Sequence, residues 1–122
     1  FQYKNSRFDF YAEEEGKKIL IEVKGVTLEE DNVALFPDAP THRGVKHIME
    51  LIDSISYGYE AYVIFVIQMQ DVLYFSPNIK MHKEFAAALK AAKECGVHIL
   101  AFDCHITENS IKIKNSVDVV LH

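Results

Sequence analysis

The stretch RFDFYAEEEGKKILIEVKG, from Arg7 to Gly25, contains two apolar, strand-like runs on either side of a Glu-Gly pair. Gly16 at its centre is typical of a two-residue hairpin loop, because glycine readily adopts the positive φ that such loops require. In that register, residues whose numbers add up to 31 lie opposite each other. Two pairs of opposite charge favour it: Glu14 with Lys17, and Glu13 with Lys18. The stretch therefore predicts an antiparallel hairpin.

Alternation along the two strands predicts which side chains share a face. In the first strand, Phe8 and Phe10 point one way, and the opposite face carries Arg7, Asp9 and Tyr11. In the second strand we expect the apolar side chains Ile19, Ile21 and Val23 to face the core. The opposite face would then carry Leu20, Glu22 and Lys24.

The register also places Asp9 opposite Glu22, with their Cβ atoms about 4.5–5.5 Å apart. Two carboxylates so placed destabilise a sheet unless a cation lies between them, and Mg²⁺ or Mn²⁺ is commonly held by one or two carboxylates. Lys24 would place an ammonium beside that metal, where it could position a water nucleophile or stabilise charge on a phosphate. The alternative is a solvated sheet edge, since an E-x-K pattern on a strand is common.

The remaining pattern predicts a mixed α/β fold with two helices. The predicted strands are Arg7–Ala12, Lys18–Lys24, Val33–Phe36, Ala61–Gln68, Val72–Phe75, Val97–Phe102, Ile111–Ile113 and Val117–Leu121. The predicted helices are Thr41–Ser56, with an apolar stripe along one side, and His82–Cys95, which ends at Gly96. Because each helix precedes a strongly apolar run, the strands at Ala61–Gln68 and Val97–Phe102 are expected to be buried and parallel.

Composition limits the class of protein. With 122 residues, 49% of them hydrophobic, the chain has the size and apolar content of one domain, residues 1–122. Its longest apolar run, AYVIFVI, is too short to span a bilayer, so no membrane partner is expected. The net charge of −5 means that any nucleic-acid contact must be local. Two cysteines without metal-ligand spacing predict buried free thiols in a cytoplasmic protein.

A second group of polar residues lies in PDAPTHRGVKH, from Pro37 to His47. Thr41 is a candidate N-cap, and a helix N-terminus offers free N–H groups to an anion. Arg43, Lys46 and His47 are spaced to share the face away from the apolar stripe, as a phosphate clamp would be. The alternative is a solvated helix face in which Lys46 pairs with Glu50.

Two further side chains are possible accessory ligands. Asp38 either contributes to the metal or substrate site or accepts a hydrogen bond within its turn, and we favour the turn. Gln68 follows the buried strand and could reach the site from its carboxyl end, where open α/β sheets usually place ligands. An ordinary strand-end glutamine is an equally good interpretation.

Four segments together resemble the sugar fermentation stimulation protein family, SfsA. They are NSRFDF (Asn5–Phe10), IEVKGVTL (Ile21–Leu28), VALFPDAPTHRGVKHIMEL (Val33–Leu51) and IQMQDVLYFSPN (Ile67–Asn78). The resemblance implies a PD-(D/E)xK, restriction-endonuclease-like core, in which Asp9 matches the first acidic residue and Glu22 and Lys24 match the (D/E)xK. It also implies that the family's OB-like N-terminal domain, implicated in DNA binding, lies outside this chain. The chain departs from the family pattern at His42, usually acidic, and at Met69, usually arginine.

Two functions are consistent with these residues. One is a Mg²⁺- or Mn²⁺-dependent nuclease in which Asp9 and Glu22 hold the metal and Lys24 supports the attacking water. The nucleic acid, expected to be DNA, would be contacted by Arg7, Thr41, Arg43, Lys46 and His47. The other, which the resemblance also implies, is a catalytically silent, non-specific DNA-binding regulator of sugar metabolism, particularly that of maltose.

Overall fold

The described residues form ten strands and two helices. The structure is a computed structural model that describes residues 1–4 and 6–122, without the side chains of Ile106 and Ile111. The strands are β1 (Gln2–Tyr3), β2 (Ser6–Arg7), β3 (Phe10–Glu14), β4 (Lys17–Val26), β5 (Leu28–Glu30), β6 (Val33–Phe36), β7 (Tyr59–Ile67), β8 (Tyr74–Pro77), β9 (His98–Ile106) and β10 (Ile111–Val117). The helices are α1 (His42–Ile55) and α2 (Lys83–Glu94).

The central sheet has the strand order β10-β9-β7-β4-β3. Its three inner strands β4, β7 and β9 are parallel, and the edge strands β3 and β10 are antiparallel to their neighbours. This confirms the mixed α/β fold and the parallel pair β7 and β9. A three-stranded sheet, β5-β6-β8, and the small hairpin β1-β2 were not predicted as separate sheets.

The β3-β4 hairpin has the predicted register, from Phe10 opposite Ile21 to Glu14 opposite Lys17. Both loop residues have positive φ, 51° for Glu15 and 80° for Gly16, as a two-residue loop requires.

The predicted continuous strand Arg7–Ala12 is wrong, because β2 ends at Arg7 and β3 begins only at Phe10. Phe8 lies between them with 1% of its surface exposed. Its backbone exchanges hydrogen bonds with Phe1, so Phe8 extends the β1-β2 hairpin, whereas Phe10 is 59% exposed.

The face assignment for β4 is also wrong. Leu20 is fully buried and Glu22 is 4% exposed, whereas Ile19, Ile21 and Val23 are only half-buried on the opposite face. Both helices pack on the Leu20 side, which makes it the core face.

Ring contacts trace the path of α2 to that face. The ring of Phe85 in α2 lies 5.2 Å from that of Phe36, which in turn lies 5.5 Å from Phe65 in β7. Phe65 is paired with Lys24 and therefore shares its face.

The helix predictions are confirmed within a residue at each end. α1 has Thr41 as its N-cap and Ser56 as its C-cap. α2 is followed by Gly96, whose φ of 100° suits the predicted end. No helix among the described residues is long and apolar enough to cross a membrane.

Smaller differences occur elsewhere. β8 runs two residues later than the predicted Val72–Phe75. The predicted last strand is a short bridge between Val119 and Phe75, since β10 already ends at Val117. Both cysteines are free, but only Cys104 is buried.

Tyr3 ties the β1-β2 hairpin to the far end of α1. Its hydroxyl donates a hydrogen bond to Asp53 Oδ2 at 2.8 Å, and the residue is 7% exposed. Burial, together with the carboxylate of Asp53, raises the pKa of Tyr3, so the hydroxyl remains a donor. Lys4 pairs with the same carboxylate. The hairpin is thereby held against the helix.

Replacing Tyr3 with phenylalanine should lower the free energy of unfolding by about 1–2 kcal/mol, because one hydrogen bond to a charged group is lost. The melting temperature should fall by roughly 3–6 °C for a domain of this size. Tyr62→Phe is the matched control, since its hydroxyl bonds Glu60 only two residues away and connects no separate elements. Equal effects of the two substitutions would contradict a stabilising role for the Tyr3 contact.

Candidate metal and nucleic-acid site

Three polar side chains, two from β4 and one from α1, meet in the interior. Glu22 Oε2 lies 2.9 Å from Lys24 Nζ and 2.8 Å from His47 Nδ1. The side chains of Glu22 and His47 are 5% and 6% exposed, and that of Lys24 is 15% exposed. Glu22, Lys24 and His47, here called the Glu22 cluster, form a buried charged group inside an otherwise apolar interface.

His47 is the neutral member of the Glu22 cluster. Burial lowers its pKa, the charges of Lys24 and Arg43 lower it further, and Glu22 only partly opposes them. A neutral ring with its hydrogen on Nδ1 donates to Glu22 Oε2. The 3.2 Å approach of Lys24 to the same nitrogen is then a close contact rather than a second hydrogen bond, because Nδ1 cannot donate and accept together.

This arrangement corrects the helix-face prediction for His47. The residue was expected beside Arg43 and Lys46 on the exposed side of α1, but it is 5% exposed and points toward β4. It therefore does not act as an exposed cation, because it is buried and uncharged.

The second oxygen of the Glu22 carboxylate is unusual. Glu22 Oε1 is buried and accepts no hydrogen bond from any of the described residues. A buried carboxylate oxygen normally has a partner, since leaving it without one costs about 1–3 kcal/mol or more. An oxygen left in this way is available to a cation.

Asp9 lies next to the Glu22 cluster along β4. It is exposed, sits one residue before β3 begins, and its Oδ2 accepts a hydrogen bond from the backbone N–H of Val23 at 2.8 Å. The side chain thus substitutes for a backbone acceptor where the β3-β4 ladder ends. The structure brings the carboxylate of Asp9 to the backbone N–H of Val23, between Glu22 and Lys24, and the paired part of the hairpin ends one residue short of Asp9, at Phe10 and Ile21.

These two carboxylates are the acidic groups at the site. Within residues 1–4 and 6–122, no group of three or more His, Cys, Asp or Glu side chains is arranged to hold a metal ion. The metal site predicted from Asp9 and Glu22 therefore stays a prediction.

A cavity of about 450 Å³ lies between the β1-β2 hairpin and the start of α1. We call it the hairpin–helix pocket, and it is lined by Gln2, Ser6, Arg7, His42, Arg43, Lys46 and His47. Arg43 and Lys46 lie together as their helical spacing predicted, and the structure adds Arg7 from β2 to them. Glu22 and Lys24 do not line the pocket, so His47 is the side chain shared by the pocket and the Glu22 cluster.

The start of α1 is fixed by Thr41, whose Oγ1 accepts the N–H of Gly44 at 2.9 Å. A Cβ at Gly44 would lie 2.8 Å from Thr41 Cγ2 and 3.3 Å from a ring carbon of Phe85. No side chain fits there. The predicted N-cap is confirmed, and its geometry depends on the glycine.

The two possible accessory residues, Asp38 and Gln68, are both exposed. Asp38 is exposed in a bend after Pro37, consistent with the favoured turn. Gln68 is exposed, and its Nε2 would lie 3.1 Å from a Cβ at Gly25. Because Gly25 and Lys24 point to opposite faces of β4, Gln68 lies across the sheet from the cluster, and its predicted approach to the site is wrong.

Sequence reasoning missed Ser6 and His82. Ser6 lines the hairpin–helix pocket, but a two-residue strand gives no pattern to detect. His82 Nδ1 accepts the N–H of Thr41 at 3.1 Å, and its Nε2–H donates to Glu84. This contact connects the starts of α1 and α2 across 41 residues, which no local spacing indicates.

Comparison with known proteins identifies the family of this chain. Residues 1–110 match the family model described as the sugar fermentation stimulation protein RE domain. The chain is 63% identical to the sugar fermentation stimulation protein homolog of Clostridium beijerinckii and 62% identical to that of Ruminiclostridium cellulolyticum. Each alignment covers 98% of this chain and 53% of the relative, so the chain spans about half the length of these curated relatives.

A solved structure described as Pyrococcus furiosus SfsA in complex with Ca²⁺ is also similar, with a TM-score of 0.90 and 32% sequence identity. The match covers 98% of this chain and 52% of that one. The resemblance inferred from the sequence motifs is thereby confirmed, and the chain belongs to the sugar fermentation stimulation protein family.

Proposed function

We propose that this chain carries a divalent-metal-dependent phosphodiesterase centre that acts on nucleic acid. Asp9 and Glu22 hold the metal, and Lys24 is the catalytic cation. The observation that carries the proposal is Glu22 Oε1, a buried carboxylate oxygen without a partner among the described residues. A purely structural ion pair with Lys24 and His47 would not require the second oxygen to stay unpaired.

The donor set suits a hard cation. One or two carboxylates, with water and substrate phosphate completing the coordination, are typical of Mg²⁺ and Mn²⁺ sites. The structure of the Pyrococcus furiosus relative is described as a complex with Ca²⁺, another oxygen-preferring ion. A bound divalent cation would supply Lewis-acid activation of a phosphodiester and of the attacking water.

Other side chains orient the carboxylate, stabilise the reacting phosphate and bind the strand. His47 donates to Glu22 Oε2 and so fixes the carboxylate with its other oxygen turned away from the ring. Lys24 Nζ, anchored on the same oxygen, is a largely buried ammonium that can orient a water molecule or stabilise charge developing on a phosphate. Arg7, Arg43 and Lys46 bind the nucleic-acid strand from the neighbouring pocket.

Nucleic acid is the substrate class that this charge distribution favours. The net charge is −5, yet three permanent cations line one pocket next to the carboxylates. DNA is the expected nucleic acid, with the family's OB-like domain as a further contact outside this chain. Two free cysteines suit a reducing cytoplasm.

Incubating the full-length protein with varied DNA and RNA substrates in Mn²⁺ tests the proposal. Wild type should cleave, and Glu22→Ala and Lys24→Met should each lower the rate at least 100-fold, because each removes a group that acts on the reacting phosphate. Glu13→Ala, an exposed carboxylate in the same hairpin, is the control and should keep wild-type activity. Binding without cleavage of any substrate would instead support the non-cleaving DNA-binding regulator.

Metal binding should also raise the free energy of unfolding. A cation at 100 times its dissociation constant should stabilise the wild type by about 2.7 kcal/mol, or several degrees in melting temperature. Glu22→Gln should not respond to Mg²⁺ or Mn²⁺. Without metal this variant should be less stable by roughly 2 kcal/mol, because Lys24 loses the charge that compensates its burial.

If repulsion between Asp9 and Glu22 were the only effect, metal-free Glu22→Gln would instead be more stable than the wild type. Thermal melts of both proteins in EDTA and in excess metal decide between these outcomes. A wild type that does not respond to any divalent ion would contradict the metal site.

Salt dependence tests the contact of Lys46 with nucleic acid. Lys46→Ala should weaken binding by the intact protein and reduce the slope of log affinity against log salt by about one, because one phosphate contact is lost. Lys17→Ala, an exposed lysine in the β3-β4 hairpin loop region, is the matched control and should leave the slope unchanged. If both variants behave like the wild type, Lys46 belongs to the solvated surface.

A further inference from the structure

Ser6 in the hairpin–helix pocket has an unexplained hydroxyl. The residue is 2% exposed, and its Oγ has no hydrogen-bond partner among residues 1–4 and 6–122. A buried serine that serves only the fold usually bonds a backbone carbonyl, as Ser54 does to Leu51 at 2.7 Å. Ser6 instead lines a cavity, so its hydroxyl is available to a ligand in that cavity.

The charges around the pocket define the ligand. Arg7, Arg43 and Lys46 line it, and none of its lining residues carries a carboxylate. Both arginines are permanently charged, and guanidinium groups match the oxygens of a phosphate in pairs. The start of α1, which begins at His42, adds the partial positive charge of a helix N-terminus. An anion with several oxygen acceptors fits these donors.

The pocket is preorganised, because hydrogen bonds hold both of its walls in place. One wall is the β1-β2 hairpin, whose Tyr3 is bound to Asp53 and whose Ser6 is paired with Tyr3. The other wall is the first two turns of α1, fixed by the Thr41 cap. A preorganised cavity loses little conformational entropy when it binds a small anion.

We propose that the hairpin–helix pocket is a phosphate subsite in which Ser6 Oγ–H donates to a phosphate oxygen while Arg7 and Arg43 pair with the others. The assignment of this phosphate to nucleic acid rests on the proposed function. His47 forms the wall between the pocket and the Glu22 cluster, so the bound phosphate is a neighbour of the phosphodiester held at the metal. The phosphate is either an internal diester of the strand or a monoester at its end, since both offer the same acceptors.

Inorganic phosphate in EDTA tests the pocket without any metal. We expect titration calorimetry of the full-length protein to show phosphate binding that Ser6→Ala weakens about tenfold and Arg43→Gln at least tenfold. Ser116→Ala, an exposed serine in β10, is the matched control and should bind like the wild type. Because Ser6 has no partner to lose, Ser6→Ala should keep the wild-type melting temperature, so weaker binding cannot be attributed to unfolding.

Binding of two oligonucleotides that differ only in a 5′-phosphate shows whether the pocket holds an internal diester or a terminal monoester. Ca²⁺ is present so that cleavage does not interfere. If Ser6→Ala weakens binding of both about equally, the pocket holds an internal diester. If only the phosphorylated oligonucleotide is affected, the pocket holds the terminal monoester. Both results support the subsite.

Wild-type affinity of Ser6→Ala for inorganic phosphate and for both oligonucleotides would overturn the proposal. Because phosphate binding in EDTA does not depend on the metal site, the subsite can hold while the phosphodiesterase proposal fails. The converse combination, metal-dependent cleavage by the wild type together with wild-type affinity of Ser6→Ala for inorganic phosphate and both oligonucleotides, would remove the subsite and keep the enzyme.

Discussion

The contact of one carboxylate oxygen with two nitrogens, Glu22 Oε2 with Lys24 and His47, joins a side chain of α1 to two side chains of β4 inside the protein. A lone charge in this interface would be very costly, since burial removes its hydration. Here the ammonium balances the charge and the imidazole supplies a directed hydrogen bond. Because His47 belongs to α1, this contact sets the rotation of the helix about its axis, and with it the side on which Arg43 and Lys46 emerge.

Opposite charges are separated across a single side chain. On one side of the His47 ring lie the carboxylate of Glu22 and the edge of β4 that carries Asp9. On the other side lies a cavity with arginine and lysine walls. A polyanion approaching the protein therefore meets attractive and repulsive regions only one residue apart. A cation between the carboxylates would join them into one attractive surface, and the proposed binding of a phosphate strand by an acidic chain depends on it.

The sequence was sufficient where the signal is local. Glu15 and Gly16 determined the hairpin register, and with it the approach of Asp9 to β4, while Thr41 marked the start of α1. It was insufficient where a choice depended on distant elements. Both faces of β4 carry apolar side chains, so alternation alone could not identify the face that the helices cover. That face is the one with Leu20, and it also carries the charged residues Glu22 and Lys24.

The same limit applies to His47 and Ser6. His47 lies four residues after Arg43, so helical spacing alone places both on the same side of α1. Only the contact of His47 with Glu22, 25 residues earlier, shows that it is a buried neutral group. Ser6 lies in a strand of two residues, whose partner and environment come from β1 and α1. Recognition of the family motifs supplied the proposed roles of Asp9, Glu22 and Lys24, but not the side chains that surround them.

Gly44 gives a way to recognise which other sequences can keep this arrangement. Its missing side chain lets the Thr41 cap and the Phe85 ring close on the first turn of α1. A relative with alanine or a larger residue there would have to displace one of them, and the arginine at position 43 would move with the turn. The dipeptide Arg43-Gly44 is thus a geometric marker. A sequence that keeps the acidic and lysine residues of β4 but fills position 44 would have lost the alignment between its carboxylates and its cations.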